Sequence, residues 1–342
     1  MTGRLVALDG PGDVGIASYE EPPLAPGEVR LRTLYSGISA GTELTAYRGS
    51  NPYLHRRWDA ERRLFVDGGA SWDYPVTVWG YEEVGEVAEL GPEVEGLAVG
   101  DLVWGTWGHR SSAVVAADWA VARRLPAGVP AVCGVFARIG AVALNAVLDA
   151  DIHVGETVAV FGQGVPGLIA TQLARLNGGT VVAVDGIPRR LELTRADHVV
   201  DFTRERAPEA IRALTGGRGA DVSLELSGSY RALQDAIAAT AYNSRVVAAG
   251  FYQGEGAGLA LGEEFHHNRV QVVCSQISGV SPRLDHRWDR DRLERTVLAL
   301  QADGRLDLEP LVSHVVAMEE AADAFRLLDE QPEEAVQVVL RF

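Results

Sequence analysis

Gly162, Gly164 and Gly167 form a G-x-G-x-x-G spacing inside TVAVFGQGVPGLIATQLARL, residues 157–176, and Asp185 closes the next apolar run, VVAVD. The chemistry this pattern can do is to hold a pyrophosphate at the start of a helix. Gly162 permits a tight turn, Gly164 lets phosphate approach the backbone, and Gly167 lets the helix lie close to the sheet. Val165 and Pro166 then open the helix, where the missing N–H of proline would have had no intrahelical partner. The remaining N–H groups and the helix dipole favour an anion there. Asp185 can accept hydrogen bonds from adenosine ribose hydroxyls and repels a 2′-phosphate, which favours NAD over NADP. Arg189 and Arg190 just downstream work against that preference. A tight βα turn in another kind of α/β enzyme is the alternative, but it leaves Asp185 unexplained.

The elements that must position these residues are legible around them. Apolar β-rich runs at 157–161, 180–184, 198–202, 221–226, 245–250 and 270–274 alternate with helical patterns near 167–176, 206–215 and 230–241. Six such strands with crossover helices predict a doubly wound parallel sheet over 140–278. Before residue 140, short strands such as EVRLRTLYSGIS, EEVGEVAEL and SSAVVAADWAVA are cut by Gly and Pro turns, which predicts a compact β domain. Helices are expected at 289–302 and 319–329. A last strand, AVQVVLRF, lacks a local partner and is expected to return to the first domain. The expected division is therefore 1–139 with 279–342, and 140–278.

Bulk properties narrow the class. The chain has 342 residues, a formal charge of −16, and two cysteines, Cys133 and Cys274. The length suits two domains. The negative charge argues against nucleic acid and anionic membrane surfaces as partners. Two cysteines make neither a disulfide framework nor a cysteine-rich metal site. No basic-then-apolar leader is seen, so a cytoplasmic location and a small-molecule substrate are expected.

SGISAGTEL (36–44), GYEEVGEVAELG (80–91), VGDLVWG (99–105), FGQGVPG (161–167), ELSGS (225–229) and VVAAGF (246–251) stand in an order that resembles the medium-chain dehydrogenase/reductase family. The resemblance implies an α/β protein, a six-stranded Rossmann dinucleotide-binding domain plus a GroES-like β-rich catalytic domain, and a homodimer. Zinc-dependent members place Cys, His and a Cys or acid where this chain has Ser39, Tyr81 and Arg138. Zinc wants thiolate, imidazole or carboxylate, so no zinc is expected here. A relocated site drawn from Glu43, Glu82, His55 or His109 is the alternative.

Without a metal, donors and fixed charge must stabilise and protonate the oxyanion left by hydride transfer. Arg138 could supply the charge. Tyr81 could supply the proton, provided that charge lowers its ordinary pKa of about 10. By the resemblance, Thr42 falls at a hydroxyl proton relay, Ser39 sits beside it, and Glu82 could hold Arg138 in an ion pair. The competing reading is a buried structural network filling a vacated metal pocket. The resemblance also puts Ser227 and Gly228 near the adenine side, Gly250 and Phe251 near the nicotinamide ribose, and Ser275 and Gln276 near the carboxamide. Arg190 matches a basic residue some members use on the adenosine ribose, and Gln337 stands where many place an arginine against the pyrophosphate.

Residues 48–78, rich in aromatics and carrying Arg56, Arg57, Arg62 and Arg63, are longer than usual in the family. They could wall a wide substrate pocket, with the arginines reading an acidic or phosphorylated substrate; solvated surface charge is the alternative. His266 and His267 are expected in a loop rather than as a metal pair. Three functions compete. The first is NAD-dependent oxidation of a secondary alcohol or reduction of its ketone, on a sugar, polyol or secondary-metabolite intermediate. The second is NADPH-dependent reduction of C=C bonds or quinones, and the third is dinucleotide binding without catalysis.

Overall fold

The computed structural model describes residues 2–342. In chain order its strands are β1 (Thr2–Gly10), β2 (Asp13–Glu20), β3 (Glu28–Ile38), β4 (Arg57–Asp59), β5 (Leu64–Val66), β6 (Glu83–Leu90), β7 (Leu102–Gly105), β8 (Ser112–Ala116), β9 (Thr157–Phe161), β10 (Thr180–Asp185), β11 (His198–Asp201), β12 (Ala220–Glu225), β13 (Thr240–Ala248), β14 (Gln271–Cys274), β15 (Val312–Ala317) and β16 (Gln337–Arg341). Its helices are α1 (Ala40–Tyr47), α2 (Ala117–Val121), α3 (Phe136–Ala150), α4 (Val165–Leu176), α5 (Pro188–Leu193), α6 (Ala207–Leu214), α7 (Tyr230–Ala239), α8 (Glu264–His267), α9 (Arg290–Ala302) and α10 (Ala321–Glu330). They form two compact units, one of residues up to 138 with 312–342, the other of 139–311.

In the second unit the parallel order is β11-β10-β9-β12-β13-β14. Val158, Val160, Val182, Val184, Val222 and Leu224 are all buried, as strands covered on both faces require. The winding direction reverses between β9 and β12, and the glycine turn leaves the carboxyl end of β9 at that switch point. The expected division needs one correction: residues 279–311 pack with this unit. A Cβ on Gly140 of α3 would sit 2.5 Å from Val297 of α9, so those helices touch closely. Gln172 of α4 also clamps the Asp307 backbone, accepting from its N–H at 2.8 Å and donating to its carbonyl at 3.2 Å.

In the first unit the sheet order is β15-β16-β3-β6-β7, with β8 also on β3. The last strand does return here, pairing antiparallel with β3 from Val338↔Ile38 to Arg341↔Tyr35. Its partner α10 buries Ala321, Ala324, Phe325 and Leu328, the i, i+3, i+4, i+7 stripe of an amphipathic helix. That stripe packs with Ile38, Leu44, Val338 and Leu340. One helix, residues 131–150, is long and apolar enough to cross a membrane, but most of it is buried in this fold.

The 48–78 segment is ordered. A single turn, Pro52–Leu54, precedes the β4–β5 hairpin, in which Trp58 faces Phe65. Rings pack in a row, tilted or edge-on: Trp58–Phe65 at 5.0 Å, Phe65–Tyr53 at 5.3 Å, Tyr53–Trp72 at 4.5 Å and Trp72–Trp79 at 5.1 Å. Arg56 is exposed and donates to Asp67 at 3.2 Å and to the Phe65 carbonyl at 2.8 Å. His266 and His267 lie not in a loop but at the end of α8, a one-turn helix against α7.

Candidate active site

The glycine turn has the geometry its spacing demands. Gly162 takes φ +85°, a left-handed conformation that side chains disfavour. A Cβ on Gly167 would lie 1.8 Å from the Gly162 carbonyl oxygen, so helix and turn interlock only without it. Gly164 caps α4, and nothing lies within 4 Å of where its Cβ would be. Open space in front of Gly164, with Val165 and Pro166 starting the helix, suits an approaching phosphate. We therefore expect Gly164→Ala to leave the melting temperature unchanged and to weaken NADH binding in a fluorescence titration. Gly167→Ala should lower both, because it disrupts the turn itself.

Gln163, unnoticed in the sequence, holds this turn together. It is fully buried, donates to the Val160 carbonyl at 3.2 Å, and accepts from Thr171 at 3.1 Å and Thr194 at 2.8 Å. Asp185 is also buried. One carboxylate oxygen accepts from the Gln163 N–H at 2.6 Å, and the other from the N–H groups of Gly186 and Ile187 at 2.8 and 2.9 Å. It thus ties the end of β10 to the glycine turn, and its two oxygens retain lone pairs for further donors. Arg190 follows on α5.

At the ends of β12 and β13 a second unnoticed residue, Glu225, is fully buried. Its carboxylate accepts from the N–H of Ser227 at 2.8 Å and of Gly228 at 3.2 Å, and from the hydroxyls of Ser227 and Tyr252. Its carbonyl accepts from the N–H of Gly250 at 3.0 Å. Burial pushes its pKa up, and these donors pull it back. Ser227, Gly228 and Gly250 are therefore brought together, with Phe251 beside them and two-fifths exposed. Ser275 lies buried at the end of β14, where its hydroxyl accepts from Asn145 of α3 at 3.1 Å.

In the first unit the catalytic candidates gather where β3 runs into α1. Ser39 is the N-cap, but its hydroxyl bonds the Tyr81 phenol instead of capping the helix. Tyr81 also donates to Thr42 Oγ1 at 3.2 Å. Ser39, Thr42 and Tyr81 thus form one hydroxyl cluster. Two expectations fail here. Both Glu82 carboxylate oxygens are buried without a hydrogen-bond partner, so Glu82 does not pair with Arg138. The Tyr81 pKa is raised rather than lowered, first by burial and then by the Glu82 carboxyl. Arg138 stands in the first turn of α3, and Gln337 is buried, donating to the carbonyls of Ile38 and Val338.

Behind the cluster lies a charged network that the sequence did not reveal. His109 Nε2 is 2.6 Å from Glu43 Oε2, and His109 Nδ1 is 2.6 Å from Ser36 Oγ. Ser36 donates its only proton to Glu83 Oε1 at 3.0 Å, so Nδ1 must donate to Ser36. With Nε2 facing a carboxylate, both ring nitrogens are donors and the ring is an imidazolium. Burial opposes that charge, but Glu43 and then Glu83 outweigh it and raise the His109 pKa. Glu43 Oε1 accepts from the Ser39 N–H at 2.9 Å, which joins the network to the hydroxyl cluster.

The pH dependence has a definite sign. His109 titrates above its ordinary 6.5, and burial raises Glu82 and Glu83 above their ordinary 4.5. A raised folded pKa contributes stability below the unfolded value and loses it as pH rises through the folded one. The urea midpoint should accordingly be higher near pH ~6 than near pH ~9, and Glu82→Gln should narrow that difference.

A catalytic zinc of the family's kind does not fit these residues. Ser39 and Tyr81 bond each other, Arg138 is cationic, and no three His, Cys, Asp or Glu side chains among the described residues group to hold a metal. His55, one relocated candidate, bonds the Gly49 carbonyl, and Glu43 and His109 bond each other.

Residues 25–155 match the alcohol dehydrogenase GroES-like domain, and residues 166–289 match the domain described as zinc-binding dehydrogenase. The D-guloside 3-dehydrogenase of Escherichia coli (strain K12) is 31% identical over 354 residues, covering 99% of each chain. The sorbitol dehydrogenase of Halalkalibacterium halodurans is 25% identical, covering 97% of this chain and 96% of that one. The crystal structure of ECK1772, an oxidoreductase/dehydrogenase of unknown specificity from Escherichia coli, shares the fold with a TM-score of 0.80 at 17% identity, covering 100% of this chain and 99% of that one. The chain belongs to the medium-chain dehydrogenase/reductase family, in its alcohol and polyol dehydrogenase-like branch. The relatives it matches are dehydrogenases.

Proposed function

We propose that this protein is an NAD(H)-dependent oxidoreductase that interconverts a secondary alcohol of a sugar or polyol with its ketone without a catalytic zinc. The Ser39–Tyr81–Thr42 hydroxyl cluster carries this reading: Ser39 and Tyr81 are proton-bearing groups at positions where the family resemblance puts metal ligands, and both lie within one cluster with Thr42, its proton-relay position. The guloside and sorbitol specificities of the relatives support a polyhydroxylated substrate.

The nicotinamide, when bound, would supply or accept the hydride. The chain's own groups handle the oxygen. The Tyr81 phenol donates to the reacting oxygen, and its raised pKa keeps the proton on the phenol until a strongly basic alkoxide forms. Arg138 supplies fixed positive charge to the same oxygen. The glycine turn and α4 would hold the pyrophosphate, Asp185 and Arg190 the adenosine ribose, Ser227, Gly228, Gly250 and Phe251 the rest of the cofactor, and Ser275 the carboxamide. The carboxylate of Asp185 is what favours NAD.

The test is a titration of NADH against NADPH, followed by a panel of polyols, glycosides, ketoses, enones and quinones, with metal content measured on the same sample. Tighter NADH binding, turnover of polyols or glycosides, and activity indifferent to chelator are expected. Turnover confined to enones or quinones with NADPH would favour the C=C reductase reading. Activity lost to chelator and restored by Zn²⁺ would end the metal-free one.

A further inference from the structure

Glu82 is an anomaly that the hydroxyl cluster alone does not explain. Its residue is 1% exposed, yet neither carboxylate oxygen has a hydrogen-bond partner. A buried, unpartnered carboxylate is too costly to leave charged without cause. Its surroundings make charge costlier still. Glu43 on α1 and Glu83, next along the chain, both repel a negative charge there, and the His109 imidazolium is spent on those two acids.

The elements around Glu82 also leave it little freedom. On β3, a Cβ at Gly37 would come within 2.6 Å of Glu82 Oε2, so this glycine makes room for the carboxyl. Gln337 of β16 stands at the same spot, 2.9 Å from that Cβ position, but spends its amide protons on two carbonyls. Ser39, whose hydroxyl bonds Tyr81, stands beside Glu82 with an exchangeable proton. Ser39 and Gln337 favour the charged form, but burial outweighs them and holds the carboxyl well above the ordinary glutamate range.

We propose that Glu82 is the proton reservoir of this site, exchanging a proton with the reacting oxygen through Ser39 and Tyr81. This rests on the reading of the hydroxyl cluster as the place of reaction. In ketone reduction the carbonyl carbon receives a hydride from the reduced nicotinamide, and the C=O π pair becomes a lone pair on oxygen. That oxygen takes the Tyr81 proton, Tyr81 takes the Ser39 proton, and Ser39 takes the Glu82 proton when its hydroxyl turns to the carboxyl. The products are the alcohol and a Glu82 carboxylate, which recovers its proton from solvent between turnovers. Oxidation runs the same transfers backwards and begins from the carboxylate. Glu82 touches neither substrate nor cofactor, so its effect is on proton supply.

The experiment has two arms on the full chain. Infrared difference spectra of wild type against Glu82→Gln at neutral pH should show a protonated carboxyl band lost in the variant. A carboxylate band lost instead would overturn the proposal. For any ketone the substrate panel shows to be reduced, wild-type kcat should hold at neutral pH and fall as pH rises through the Glu82 ionisation. Glu82→Gln should lower kcat by about 10²-fold and abolish that dependence, with NADH affinity unchanged as the check on folding. Glu82→Asp should restore part of both. A Glu82→Gln enzyme with wild-type kcat and pH profile sinks the proposal while leaving the proposed function intact. A panel without any reducible ketone or oxidisable alcohol sinks the proposed function first.

Discussion

His109→Ala is expected to destabilise the first unit by about 3–5 kcal/mol, the cost of removing one member of a buried ion pair. The imidazolium stands between two carboxylates, Glu43 at 2.6 Å and, through Ser36, Glu83. Both acids are fully buried, so their repulsion cannot be relieved by water. Replacing the ring removes the only positive charge in that network and leaves three acids, Glu43, Glu82 and Glu83, close together. The measurement is urea denaturation followed by tryptophan fluorescence. Trp107 reports well, since its backbone N–H donates to Glu83 at 2.7 Å, and so does Trp79, whose indole donates to the Glu43 carbonyl at 3.4 Å. The double variant His109→Gln, Glu43→Gln removes both charges of the direct pair and should cost less than the sum of the single changes. A loss below about 1 kcal/mol for His109→Ala, the scale of an exposed pair, would mean that the network is not charged.

The sequence carried the dinucleotide unit well because its signals are local. A strand of alternating Val and Ala, a glycine turn and an amphipathic helix lie within twenty consecutive residues, 157–176, and each signal means the same thing at every level. The return of β16 was legible for a similar reason, as an apolar strand pattern with no neighbour to pair with. The boundary at 279–311 was not. Whether α9 belongs to one unit or the other is decided by its contacts with Gly140 and by the clamp of Gln172 on Asp307. Those partners lie more than a hundred residues away.

The first unit's site was half legible for the same physical reason. Ser39, Thr42 and Tyr81 could be named from motif position, and the structure does bring them together. Their electrostatics could not be read. Arg138 was the visible charge in the sequence, but burial and then Glu82 push the Tyr81 pKa the other way, more than the hydrogen bonds to Ser39 and Thr42 pull it back. Ser36, Glu43, Glu83 and His109 show no shared spacing, since they come from β3, α1, β6 and the loop before β8. Nor could the sequence tell that Arg56 meets a carboxylate and a carbonyl within its own hairpin. Charge in a sequence says how many ions there are, while the fold decides which of them meet.

Tyr81→Phe is expected to lower turnover by about 10²–10⁴-fold at saturating cofactor, the range that a positioned acid contributes. The change removes one oxygen and nearly no volume, so stability should move little, although Ser39 and Thr42 each lose a hydroxyl partner. Two comparisons separate a proton donor from a structural link. If Tyr81 only holds the end of α1 in place, then Ser39→Ala, which breaks the same bond from the other side, should be equally harmful. If Tyr81 donates to the reacting oxygen, Ser39→Ala should cost no more than Glu82→Gln, because it cuts only the resupply of the phenol's proton, and should be milder than Tyr81→Phe. The raised Tyr81 pKa adds a second expectation. A phenol held neutral by burial carries its proton throughout the neutral range and can give it to an alkoxide, whereas oxidation needs a proton acceptor, which the neutral phenol is not. Ketone reduction should therefore depend less on pH across the neutral range than alcohol oxidation does, and Tyr81→Phe should depress both. Initial rates in the two directions, measured at fixed ionic strength on wild type and variant, decide it: undiminished turnover of Tyr81→Phe removes the phenol from the reaction.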